Sequence, residues 1–291
     1  MLDNLETSHM TPSPFSPAAM PVATLENDPN PLPLDKRLVG ERNRFEVLSW
    51  VARFGWLTSR MVAALVWADA AQSIAMARRT LKALTDEKLL VARSLSKGGA
   101  VYLLAAKGAR LLGEQAGMDA KSGHALAIGN PIHRACSNWF LIRAVQRGLT
   151  VVTEHEIATE RGPCRMLHGK VADGLVIADD GACIWMECEH SQKARPERHK
   201  TVALVQKCIG GERQVELAPG LWLARVAIVA TNETALRWMA ASFQDAHRRG
   251  LLRDSQVAEV DACLLPISES LVPGDVVDGN LWWDILVPAS A

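Results

Sequence analysis

The sequence predicts an α+β chain of two ordered units, and three observations carry that expectation. Residues 41–116 place apolar side chains at helical spacing and then in two short strand-like runs. Residues 131–291 alternate helical and strand-like segments in the order α-β-β-β-α-β, and a stretch of glycines and small or polar residues at 117–130 reads as the linker between the units. At 291 residues and 48% apolar composition the chain has ample material for two buried cores.

Residues 1–40 hold Pro12, Pro14, Pro17, Pro21, Pro29, Pro31 and Pro33 among small and acidic residues without a sustained period, which reads as a disordered tail. From Glu41 the pattern becomes helical. Phe45, Leu48, Val51 and Ala52 line one face, and Gly55 ends the helix. Thr58 can N-cap a second helix with Met61, Val62, Leu65 and Val66 as its apolar stripe. A third helix, 71–86, turns Ile74, Ala77, Leu81 and Leu84 inward and Arg78, Arg79 and Lys82 outward. Strands at 89–93 and 100–104 are joined by a loop containing Lys97, and a short helix at 107–115 follows.

Three helices and a basic hairpin compose a winged helix-turn-helix, whose third helix is of a size to enter the DNA major groove. Net charge is zero over the whole chain, but residues 41–115 carry 12 Lys+Arg against 6 Asp+Glu. Cations on the helix and the wing can neutralise phosphates of double-stranded DNA. The competing reading makes Arg78, Arg79 and Lys82 an ordinary solvated face, or makes the unit a protein-contact module. Trp50, Trp56 and Trp67 are read as core residues rather than base-stacking platforms.

In the second unit, Pro131 opens a helix closed near Gly148, and a strand is expected at 149–156. Residues 165–177 contain the second strand and 182–189 form the third. A helix at 196–208, a strongly apolar strand at 221–230, a helix at 232–249 and a strand at 260–267 follow; 275–288 packs on the unit in an unspecified form.

The hairpin at 171–193 concentrates the chemistry. Glu187 and Glu189 alternate with Cys188, so they project to one side of their strand, and Asp173 sits on the neighbouring one. Three converging carboxylates suit a hard divalent cation such as Mg²⁺ or Mn²⁺. The alternative is a solvent-facing edge strand whose Asp-Gly is a turn. Arg195, Arg198 and Lys200 at the head of the next helix suit a backbone phosphate approaching the acids, or else form a solvated face.

An acid on the second strand and an acid-x-acid at the end of the third resemble the PD-(D/E)xK nuclease fold, which implies an αβββαβ restriction-endonuclease-like domain over 131–291. The resemblance implies metal-binding roles for Asp173 and Glu187. Glu189 stands where that family has its lysine, and Lys193 or Lys170 is the available substitute. LTSRMVAALV, ARRTLKALTDEKLL and VYLLAAKG in the first unit, with Asp173-Gly174, Glu187, Glu189, Ser191 and Lys193 in the second, resemble the bacterial replication-relaxation family of plasmid and mobile-element proteins. That resemblance spans residues 42–210. It implies DNA binding in replication control or mobilisation, with double-stranded DNA, a second copy of the chain, and plasmid replication or mobilisation proteins as partners. Cleavage of DNA and a non-catalytic regulatory or scaffolding role both remain open.

Other classes are poorly supported. The sequence has no GxSxG, no phosphate-cradling glycine loop and no apolar run of the roughly 18 residues needed to span a bilayer. Six cysteines without a CxxC pair, and an N-terminus without a basic-then-apolar leader, read as a reduced, cytoplasmic protein. Glu189, His190 and His199 match no zinc spacing.

Overall fold

Helix formation begins where Asp35 accepts a hydrogen bond from Arg37 N at 2.9 Å, which caps α1 (Lys36–Phe54). The computed structural model describes residues 35–68, 70–123, 129–191, 195–211 and 214–275. Within the segment 1–40, then, 36–40 are helical and the first unit starts earlier than its apolar period showed. The leading turn is exposed, Leu38 and Val39 included, so no buried apolar stripe marks it.

Past Gly55 the chain forms β1 (Trp56–Thr58), α2 (Ser59–Val66), α3 (Ser73–Asp86), β2 (Leu90–Ser94), β3 (Ala100–Leu104) and α4 (Ala106–Ala116). Thr58 Oγ1 accepts from Met61 N at 3.3 Å and so caps α2. The three strands form an antiparallel sheet in the order β1-β3-β2. β1 is too short to show a period in the sequence. Trp56 and Trp67 are buried, and Trp50 is partly covered by Arg53 at 4.9 Å. Part of 117–130 belongs to this unit, because Gly123 N bonds Leu104 O at 2.8 Å; residues 124–128 lie outside the described residues.

The second unit runs α5 (Pro131–Gln146), β4 (Thr150–Thr153), α6 (Glu154–Ala158), β5 (Gly174–Ile177), β6 (Ala182–Glu189), α7 (Arg195–Cys208), β7 (Val215–Ala218), β8 (Leu221–Ala230), α8 (Glu233–Arg248), α9 (Asp254–Val257) and β9 (Val260–Leu264). β4, β5 and β6 pair antiparallel, whereas β6 and β8 pair in parallel. The far edge of β8 is shared by β7, antiparallel, and β9, parallel. The strand expected at 149–156 stops at Thr153, because Thr153 and Glu156 form a capping box that starts α6. β7 and α9 were not anticipated. Most of 275–288, including Leu281, Trp282 and Trp283, lies outside the described residues, as do residues 1–34.

Helices cover both faces of this sheet. Met186 and Cys188 pack in one core cluster with Cys136, Leu141 and Ile142 of α5, while Cys183 and Trp185 pack in another with Leu204, Val205, Met239 and Phe243 of α7 and α8. The first cluster is continuous with Val51, Phe54 and Trp56 of the first unit. The mixed α+β class holds for the whole described chain. No described helix is long and apolar enough to cross a membrane, and the six cysteines are free thiols.

Candidate functional site

A tight turn brings in the residue on which the acidic strand depends. Leu167 and Lys170 exchange backbone hydrogen bonds at 2.8 and 2.9 Å around His168 and Gly169, both at positive φ. A two-residue turn of that kind needs a residue tolerant of the left-handed region, and Gly169 supplies it at φ 77°. Lys170 leaves the turn buried, with Nζ 2.5 Å from Glu187 Oε2. Trp185 Nε1, two residues earlier on the same face of β6, donates to Glu187 Oε1 at 2.7 Å.

Glu187 is 1% exposed and Glu189 2%, so the pair on β6 points into the layer beneath α7 and α8 rather than to solvent. Burial pushes the Glu187 carboxyl up to about 7, the charge of Asp173 adds to that, and Lys170 and the Trp185 hydrogen bond oppose it. Asp173 ends the chain's approach to β5. Its carboxylate accepts from Cys188 N at 2.8 Å, in place of a further ladder bond, and lies 3.5 Å from His133 Nε2 on α5.

His133 and Glu154 did not figure in the sequence reading. His133 lies in the first turn of α5, where Asn130 Oδ1 accepts from its backbone N at 3.3 Å; Glu154 is the first residue of α6. One nitrogen of His133 and one oxygen each of Glu154 and Asp173 lie within 4.8 Å of one another. Burial lowers the His133 pKa, but the hydrogen bond to Asp173 and the neighbouring Cys188, Asp173 and Glu154 outweigh it and raise the group to about 9.

Of the two carboxylates expected to hold Mg²⁺, Asp173 is part-buried beside His133 and Glu187 is fully buried. That ion keeps several waters and needs an open octahedral shell, whereas Glu187 is enclosed and engaged by a lysine and an indole. Lys170, one of two candidate cations in the sequence, lies beside Glu187. Lys193 and the side chain of Arg195 lie outside the described residues.

The remaining cations divide by exposure. Arg198 is buried, with Nε 3.1 Å from Ser242 Oγ and its guanidinium 5.0 Å from the Trp238 ring centroid. Lys200 is exposed and pairs with Glu197 at 2.7 Å. On α3, Ala77, Leu81 and Leu84 are buried while Arg78, Arg79 and Lys82 are exposed. Lys82 pairs with Asp86 at 2.5 Å, and Lys97 on the β2–β3 loop lies 3.4 Å from Glu269. Compared with protein-family models, curated proteins and solved structures, the chain matches none.

Proposed function

We propose that the chain is a double-stranded-DNA-binding protein in which residues 36–116 act as a winged helix-turn-helix. The second unit is PD-(D/E)xK-like and serves docking and regulation, in plasmid or mobile-element replication control or mobilisation. The observation that carries the DNA reading is the division of α3: its apolar stripe is consumed by the core, and Arg78 and Arg79 stand exposed with no ion-pair partner among the described residues. Lys82 and Lys97 extend the basic face, and their exposed ion pairs are weak enough to yield to phosphate.

The test is the salt dependence of duplex binding by fluorescence anisotropy. Replacing both arginines, Arg78→Ala with Arg79→Ala, should weaken binding and reduce the slope of log K against log salt by about 2, since each phosphate contact contributes roughly 0.9. An unchanged slope in a normally folded variant would remove α3 as the reading helix.

The non-cleaving role rests on Glu187, which is neutralised inside the protein by Lys170. A second reading, metal-dependent cleavage with Mg²⁺ or Mn²⁺, is favoured by the gathering of an acid-acid-lysine set, Asp173, Glu187 and Lys170, near the end of β6. It requires Lys170 to release Glu187. Cleavage of supercoiled, linear or single-stranded DNA in either metal, abolished by Glu187→Gln, would establish it over the regulatory role.

A further inference from the structure

Three side chains from separate elements meet beside the Glu187–Lys170 pair without taking part in it. We propose that His133, Glu154 and Asp173 hold a divalent transition-metal ion, of the Zn²⁺ or Mn²⁺ kind, at the junction of α5, α6 and the chain entering β5. This site does not depend on the DNA-binding reading.

Their donor atoms already lie within 4.8 Å of one another. A first-row ion with bonds of about 2.0–2.2 Å holds its ligands roughly 3–4 Å apart, so small side-chain adjustments close the group. Glu154 Oε2 is an independent sign of a missing partner, being buried with no hydrogen bond. Its nearest recorded cation, Arg134 Nη1, is 3.7 Å from the other oxygen, Oε1, and the same guanidinium is drawn off by Phe54 O at 3.2 Å. A buried carboxylate oxygen left in that state is costly, and a cation is the partner that relieves it.

The donor set selects the class of ion. Two carboxylates balance a divalent charge once His133 gives up its proton to bind, and the imidazole favours zinc and its neighbours over Mg²⁺, which prefers oxygen throughout. The Asp173 carboxylate is held from behind by Cys188 N, while His133 and Glu154 stand in the capped first turns of α5 and α6. The three side chains are only partly buried, which leaves an entry path. The site also adjoins the contact between units, because Arg134 and Thr153, the next residues in sequence to two of the ligands, bond carbonyls of α1.

The test is titration of the full, metal-free chain with Co²⁺ and with Zn²⁺, read by visible absorption, calorimetry and melting temperature. The expected result is one ion per chain and a raised melting temperature. Glu154→Gln and His133→Ala should each weaken binding at least about tenfold, and Glu187→Gln should leave it in place. Mg²⁺ at equal concentration should not displace the ion. Absence of saturable binding by the wild-type chain would overturn the proposal. So would binding undiminished by Glu154→Gln, equal loss in Glu187→Gln, or an intense thiolate-to-cobalt band that assigns the ion to cysteines. If His133→Ala does not fold, the wild-type titration and Glu154→Gln decide alone.

Discussion

Removing the ammonium group of Lys170 while keeping its bulk, as in Lys170→Met, leaves Glu187 buried without its cation. Truncating one partner of a buried pair typically costs about 3–5 kcal/mol, because the other charge is stranded. Glu187 can escape by taking up a proton, and this fixes the pH dependence. In the wild type its folded pKa is raised to about 7 from 4.5. The favourable difference is therefore fully present below pH 4.5 and lost as the pH rises through 7, a swing of roughly 3 kcal/mol at about 1.4 kcal/mol per unit. Without Lys170, which lowers that pKa, the loss continues to higher pH. The variant should thus melt roughly 6 °C or more below wild type at pH 8, at about 2 °C per kcal/mol for a chain of this size. The gap should shrink at pH 5, where Glu187 is mostly protonated in both proteins. Adding Glu187→Gln to Lys170→Met should recover most of the loss at pH 8. Thermal melts of the three proteins at both pH values measure this, and a deficit equal at pH 5 and pH 8 would refute the buried-pair account.

Two further perturbations probe the seam between the units. Gly55 has φ 76°, and a Cβ there would lie 2.8 Å from His155 Cγ and 3.0 Å from Arg134 Nη2, so Gly55→Ala should cost at least about 2 kcal/mol in urea unfolding. A loss under about 0.5 kcal/mol would show that the junction yields easily. His155 is held neutral, its pKa lowered to about 4 by burial and then by Arg134, Arg161 and Lys121. Its contribution is therefore present above pH 6.5 and lost as the pH falls towards 4. His155→Gln should flatten stability against pH over that window relative to wild type, and parallel curves would exclude the assignment.

The β5–β6 hairpin was legible because an apolar run, an Asp-Gly-rich turn and a second apolar run leave few other structures, and because period-two alternation places Glu187 and Glu189 on one face. Alternation does not say whether that face meets water. With α5 on one side and α7 and α8 on the other, the acids came out buried, and their chemistry passed from open ligands to an internal ion pair. Lys170 could be named as a nearby cation, but its contact depends on a four-residue turn whose aim is set in three dimensions. His133 and Glu154 carried no signal as a pair: one reads as an ordinary residue at a helix start, the other as part of a strand, and only the fold brings them to Asp173. The α6 start was within reach, since Thr153 and Glu156 have capping-box spacing, yet the strand-like run before it dominated the reading.

A helix normally leaves its last carbonyls to water or to its own C-cap. The end of α1 is satisfied instead by the other unit. Arg161 donates to Ala52 O at 3.1 Å, Thr153 Oγ1 to Arg53 O, Arg134 to Phe54 O at 3.2 Å, and Asn138 to Trp56 O at 3.1 Å just beyond the helix. Arg53 reaches the opposite way, to Val151 O at 2.6 Å and Glu156 at 2.8 Å. Units in one chain move relative to one another by default unless their interface is large and apolar. Here Val51, Phe54 and Trp56 join the same core cluster as Cys136 and Ile142, so displacing the first unit would strand those carbonyls and open that core together. Two arginines at the helix C-terminus also meet the negative end of its dipole. DNA lying on α3, as proposed, would therefore be held at a fixed angle to the sheet that contains β6. An ion at His133, Glu154 and Asp173 would sit one residue away from two of these contacts, at Arg134 and Thr153.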